Sequence, residues 1–161
     1  CRSRNAPLFH RNQTVWEGAI RVPAIIRWPG QIPAGRTSSQ VGIVMDLTAT
    51  ILAVTNSPVP PEARLEGINL LPLLKDGAQR MERTLFFRYT LPARRQRAVR
   101  QGDWKLMVDG ANPMLFNLKD DIGERNDLAN QRMDIVRKLY PLITQWEQDV
   151  DAEAKQSASS Q

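Results

Sequence analysis

The segment Arg97-Ala-Val-Arg-Gln-Gly-Asp-Trp-Lys-Leu-Met-Val108 constrains the fold more than any other. Two strand-like runs flank Gln101-Gly102-Asp103, the pattern of a hairpin with glycine at its turn. In the second run Trp104, Leu106 and Val108 alternate with Lys105 and Met107, so one face is expected to be buried. Strand-like runs at 84–89 and 114–118 extend the hairpin on either side. An antiparallel sheet of this kind needs a covering layer. The last third of the chain supplies one, with Met133, Val136, Leu139, Tyr140, Ile143, Trp146 and Val150 on one helical face. Pro141 falls inside that pattern and is expected to kink or split the helix near 137–140. Trp104, Leu106, Phe116 and Leu118 are expected to form one core with Leu139, Ile143 and Trp146. Residues 152–161 are polar and Ser-rich and read as a frayed tail.

The first half is organised differently. In Thr-Val-Trp-Glu-Gly-Ala-Ile-Arg-Val-Pro-Ala-Ile-Ile-Arg-Trp-Pro-Gly, residues 14–30, the small Gly18 and Ala19 admit close approach of another backbone. Ile20, Val22, Ile25, Ile26 and Trp28 suit a half-buried strand over 19–28, and Pro23 places it at an edge or at an irregularity. Pro29-Gly30 and Pro33-Ala-Gly35 are turn signals. Residues 43–55 carry apolar groups near helical spacing, with Asp46 placed early to cap the helix. Three prolines at 58, 60 and 61 end that helix, and 68–74 reads as a short apolar helical turn closed by Asp76-Gly77.

Composition narrows the function classes. With 161 residues, 42% hydrophobic and 24% charged, the chain has the make-up of a globular protein and is long enough for a core or for part of something larger. No apolar run approaches the roughly 20 residues of a membrane helix, so no membrane partner is expected. Cys1-Arg-Ser-Arg-Asn5 has neither an initiating Met nor the apolar segment of a signal peptide, and the chain is read as a fragment or a processed form. A single cysteine, Cys1, excludes an internal disulfide and a Cys-rich metal site. The net charge of +5 is concentrated partly at Arg94, Arg95, Arg97 and Arg100, either a solvated loop or a surface for a polyanion such as sulfated glycan. No interleaved aromatics, helix-turn-helix, zinc or RNA-binding signature accompanies these arginines, so nucleic acid is not an expected partner.

Six segments, in order, resemble the C-terminal third of a type I, formylglycine-dependent sulfatase of the alkaline phosphatase-like superfamily. They are Trp16-Glu-Gly-Ala-Ile-Arg-Val-Pro23, Arg27-Trp-Pro-Gly30, Met45-Asp-Leu47, Gly67-Ile-Asn-Leu-Leu-Pro-Leu-Leu74, Ala98-Val-Arg-Gln-Gly-Asp-Trp-Lys-Leu106, and Leu115-Phe-Asn-Leu with Asp121, Glu124, Asn126 and Leu128. The resemblance implies an α/β class: residues 1–80 as the end of a sulfatase-type α/β sheet domain, whose other strands lie upstream, then 81–161 as a small α+β subdomain. It implies sulfate ester hydrolysis in the complete enzyme, with a hydrated formylglycine attacking sulfur beside a calcium or magnesium ion. It makes His10, Arg11 and Asn12 candidates for the substrate cleft, with Asn12 where family members often carry a sulfate-contacting Lys. It makes Glu17 and Arg21 a structural ion pair near that cleft.

The Cys/Ser-x-Pro-x-Arg nucleophile motif is absent, and the family's metal-binding acidic pairs lie upstream of the matched region. The chain is therefore expected to carry no catalytic residue and no metal, to be inactive alone, and to associate with the missing catalytic part. The rival expectation is a non-catalytic module holding a polyanion on Arg94, Arg95, Arg97 and Arg100. A periplasmic or secreted location follows from the resemblance alone.

Overall fold

The computed structural model describes residues 5–60, 62–75, 78–92 and 94–159. Cys1, the Asp76-Gly77 helix stop and the end of the tail lie outside the described residues. The chain divides into two compact units, Cys1–Pro23 with Glu82–Gln161, and Ala24–Met81.

The first unit is α+β. Four antiparallel strands, β1 (Thr84–Leu91), β2 (Arg94–Gln101), β3 (Trp104–Asp109) and β4 (Asn112–Asn117), lie in the order β1-β2-β3-β4. Gln101 pairs with Trp104 and Asp109 with Asn112, so both later hairpins close through two residues. Gly102 and Gly110 take the first loop positions at φ of 61° and 63°, the left-handed values that two-residue hairpins require. A long helix, α3 (Met133–Ser159), follows β4 and runs without interruption.

The expected division at Pro141 does not occur. Its ring is exposed, while Leu139 and Ile143 on either side are 1% exposed and packed on the same sheet face. The helix also continues through most of the stretch read as a frayed tail.

Alternation along β2 and β3 feeds two cores rather than the single one expected. Val99, Leu106, Val108 and Leu115 pack with Val136, Leu139 and Ile143 of α3. Ala98, Met107, Phe116 and Leu118 pack on the opposite side with Val15 and Trp16, flanked by Phe9. Phe116 and Leu118 thus leave the helix-side core. Lys105 and Met107, placed by alternation on an open face, are both fully buried. The reason is a second covering layer: the irregular segment around residues 9–18 closes the face that α3 leaves open.

The second unit contains α2 (Val44–Val54) and a 3-10 turn at Leu71–Leu74. Asp46, fully buried, accepts hydrogen bonds from the Ile43 amide at 2.8 Å and the Ile68 amide at 2.9 Å. It therefore caps α2, as its position in the sequence implies, and also fixes the 67–70 stretch across the helix start. A Cβ on Gly67 would stand 2.1 Å from the Met45 carbonyl oxygen, so only glycine permits that approach.

The strand expected over 19–28 is not formed. Glu17–Ile20 make a single helical turn, α1, and the chain beyond it has no regular structure through Trp28. Ile25 is 95% exposed. A strand needs a neighbour for its amides and carbonyls, and among the described residues none pairs with this segment.

Candidate functional site

The Trp16–Arg21 turn owes its shape to its glycine. The Gly18 amide donates to the Phe9 carbonyl at 2.9 Å, and the Asn5 side-chain amide donates to the Gly18 carbonyl. A Cβ at residue 18 would lie 2.2 Å from the Phe9 carbonyl oxygen and 2.4 Å from that of His10. The turn and the His10 segment are therefore in backbone contact, which a larger residue would prevent. Phe9 meets Trp16 edge-on at 4.8 Å between centroids, and His10 lies parallel to the Trp16 ring at 6.5 Å. Arg125 covers Phe9 at 4.5 Å.

Beneath this turn lies a charge cluster with almost no access to water. Lys105, fully buried on the inner strand β3, places its Nζ 2.8 Å from Glu17 Oε1 and 2.8 Å from Glu124 Oε1. The Glu17 amide donates to Glu124 Oε2 at 2.6 Å. One ammonium thus sits between two carboxylates, and one of those carboxylates also holds the backbone of the other. Burial pushes the Glu124 carboxyl above its ordinary range, against the pull of Lys105. Glu124 also has a left-handed backbone, φ 51°, unusual outside glycine. The loop supports it: Asp121 accepts hydrogen bonds from the Arg125 and Asn126 amides at 2.7 and 2.8 Å.

On the solvent side, His10, Arg11, Asn12 and Gln13 are exposed, with left-handed φ of 63° at His10 and 68° at Gln13. The Thr14 hydroxyl donates to the Arg11 carbonyl at 3.1 Å. The buried Gln96 accepts from the Val15 amide at 3.3 Å and donates to Asp109 at 2.8 Å. Asp109 in turn receives Arg94 at 2.6 Å, and that guanidinium holds its carboxyl below the usual range. The exposed segment is thus anchored through Gln96 at its end and through Gly18 along its length.

A family model described as N-sulphoglucosamine sulphohydrolase, C-terminal, matches residues 8–153. The chain belongs to this sulfatase family. It is 30% identical to N-acetylgalactosamine-6-sulfatase of Canis lupus familiaris over 88% of its own length and 33% of that protein. It is 29% identical to arylsulfatase G of Rattus norvegicus over 92% of its length and 32% of that protein. A solved structure described as "Crystal structure of Ps i-CgsB in complex with k-i-k-neocarrahexaose" is similar at 25% identity and a TM-score of 0.82, over 89% of this chain and 32% of that one. The chain spans about a third of the length of these relatives.

In this sulfatase portion the residues singled out from sequence fall into separate places. His10, Arg11 and Asn12 lie together on the exposed segment. Glu17 is buried, but its main partner is Lys105; Arg21 is 42% exposed and reaches Glu17 only at 3.4 Å. The Glu17–Arg21 pair read from sequence is thus the minor half of the arrangement. The four arginines do not make one patch, because strand alternation divides them. Arg95 and Arg97 turn to α3, where both bind Glu147, at 2.8 and 2.5 Å. Arg94 binds Asp109 on the other side, and Arg100 donates to the Gly102 carbonyl at 3.2 Å.

Lys105 and Glu124 carry the site, and sequence reasoning did not place them in it. Lys105 sits in an alternating strand at a position that normally faces water, and its partners are 88 and 19 positions away in sequence, beyond any local signal. The residues do not fit a calcium or magnesium ion. The carboxylates that converge, Glu17 and Glu124, are met by an ammonium group, and among the described residues no group of three or more His, Cys, Asp or Glu is placed to hold one.

Proposed function

We propose that this chain is the C-terminal part of an enzyme that hydrolyses sulfate esters of saccharides. It contributes one wall of the substrate cleft and neither the nucleophile nor the metal ligands. Family membership and the names of the relatives support the reaction class. The oligosaccharide bound in the similar solved structure supports a saccharide substrate. The observation that carries the reading for this chain is the mounting of the His10–Asn12 segment. Its residues are exposed, yet the His10 backbone lies against Gly18, the Arg11 carbonyl accepts the Thr14 hydroxyl, the His10 ring stacks on Trp16, and the Val15 amide just beyond is fixed by Gln96.

The reaction adds water across the ester, breaks an S–O bond, and releases sulfate and an alcohol. Negative charge rests on sulfate oxygens throughout. The Arg11 guanidinium supplies fixed positive charge in donor-rich geometry, and the His10 ring and Asn12 amide add polar contacts. The polyanion-module reading has less support, because Arg94, Arg95 and Arg97 are already held by carboxylates.

Two proteins test the proposal: the 161-residue chain, and the full-length sulfatase containing it. The chain alone is expected to show no turnover of 4-nitrophenyl sulfate with or without calcium, whereas the full-length protein turns over. Arg11→Ala in the latter is expected to raise KM about tenfold or more, the loss of a hydrogen bond to a charged group. Turnover by the isolated chain that survives Cys1→Ala and purifies with it overturns the proposal, as does an unchanged KM in Arg11→Ala.

A further inference from the structure

We infer that Lys105 is a positioning residue: it touches no substrate, and it sets the placement of the His10–Asn12 segment through Glu17 and Gly18. The inference rests on the cleft reading of that segment given above.

The physical chain is short. The Lys105 ammonium bridges Glu17 and Glu124 at 2.8 Å each and offsets one of their two charges. Glu124 then accepts the Glu17 amide, which fixes the first residue of α1. The next residue, Gly18, holds the Phe9 carbonyl and lies against the His10 backbone. Consecutive contacts therefore lead from a buried ammonium on a central strand to an exposed imidazole.

The charge balance makes Lys105 the controlling member. Arg21 is a weaker partner of Glu17, at 3.4 Å and 42% exposed, whereas Lys105 is buried and meets both carboxylates. Without Lys105, two carboxylates lie buried against each other and one must take up a proton or move apart. Moving apart carries Glu17 and the turn away from the sheet. The left-handed backbones at Glu124 and His10 give both ends of this path a less strained place to relax to.

A packing role alone would predict something different. Met107 and Phe116 belong to the core on the same sheet face as Lys105, and loss of packing there loosens the whole face. Loss of positioning loosens the turn first and leaves the α3 side as it was.

Lys105→Met, Lys105→Arg and Glu124→Gln distinguish the two, each measured by native-state hydrogen exchange in the 161-residue chain and by steady-state kinetics in the full-length sulfatase. In Lys105→Met the Glu17 and Gly18 amides are expected to exchange at least about tenfold faster relative to Val99 and Leu139. In the kinetic arm KM is expected to rise by about tenfold with kcat changed less than about threefold. Lys105→Arg keeps the charge and is expected to restore most of both. Should Lys105→Met not fold, Glu124→Gln is the measured variant, with faster exchange confined to the Glu17 amide and its neighbours. Uniform acceleration across both faces overturns the inference, as does a fall in kcat with KM unchanged. Selective loss of protection at Glu17 and Gly18, with KM unmoved both there and in Arg11→Ala, retains the clamp and removes the cleft reading instead.

Discussion

Val99, Leu106, Val108 and Leu115 meet Val136, Leu139 and Ile143 on one side of the sheet, whereas Ala98, Lys105, Met107 and Phe116 meet Val15, Trp16 and Glu17 on the other. The first side is closed by a helix whose own backbone is satisfied, so side chains alone hold it: apolar burial together with the Arg95 and Arg97 pairs to Glu147. The second is closed by a segment that has almost no regular structure. Such a segment must find partners for its amides from side chains, and Gln96 and Glu124 provide them. Hydrophobic packing tolerates many registers of a covering segment; a buried ammonium between two carboxylates tolerates few. The polar cluster under the irregular layer therefore holds backbone amides, whereas among the described residues the buried Glu147 under the helix pairs only with the Arg95 and Arg97 side chains.

The largest expected effect separates the two sides directly. Lys105→Met leaves two buried carboxylates without their counter-ion and is expected to cost about 3–5 kcal/mol. Leu139→Ala, a cavity on the helix side, is expected to cost about 2–5 kcal/mol. Chemical denaturation gives both values. A Lys105→Met loss under about 1 kcal/mol would mean that the ionic side contributes no more than a surface pair does.

Gly18→Ala is next. The added methyl meets backbone oxygens at 2.2 and 2.4 Å, which no side-chain rotation relieves. A loss of about 1–3 kcal/mol is expected, as for overpacking elsewhere. Tryptophan fluorescence accompanies this measurement, since a normal spectrum with normal stability would show that the close approach is dispensable. Trp146→Ala is expected to fall in a similar or lower range, about 1–2 kcal/mol. The ring is only partly buried, stacked on Phe86 at 5.2 Å under Arg88 at 5.8 Å.

A pH series gives the smallest effect and two opposite signs. Glu124 is held above the ordinary carboxylate range by burial, so the folded state binds the proton more tightly than the unfolded chain. Its contribution is full below the unfolded value and is lost as pH rises through the folded one. Asp109 is held low by Arg94; its contribution is full above the ordinary range and is lost as pH falls through the folded value. The difference in denaturation midpoint between the parent chain and Glu124→Gln is therefore expected to shift in favour of the parent as pH falls from about 7 towards 5. A difference that is flat over that window would show that Glu124 does not titrate there. Arg94→Ala, breaking a half-exposed pair, is expected to cost less than about 1 kcal/mol.

Local elements and the family were legible in the order of residues alone. Alternation over 97–108 and glycine at residue 102 specify a hairpin whatever surrounds them, because a two-residue turn and a period of two are properties of neighbouring residues. The helical face from Val136 to Ile143 and the capping by Asp46 are legible for the same reason. Long-range packing governed what remained. Whether Lys105 faces water or a buried carboxylate depends on a segment 88 positions earlier, and alternation names a face without saying what covers it. Ile20, Val22 and Ile25 have strand-forming side chains, yet a strand exists only where another strand receives its hydrogen bonds. Arg94 to Arg100 are close in the chain and separated in space, since each step along a strand turns the side chain to the opposite face. The site lies between elements distant in sequence, where only the folded chain brings Glu17 and Glu124 each within 2.8 Å of the Lys105 ammonium.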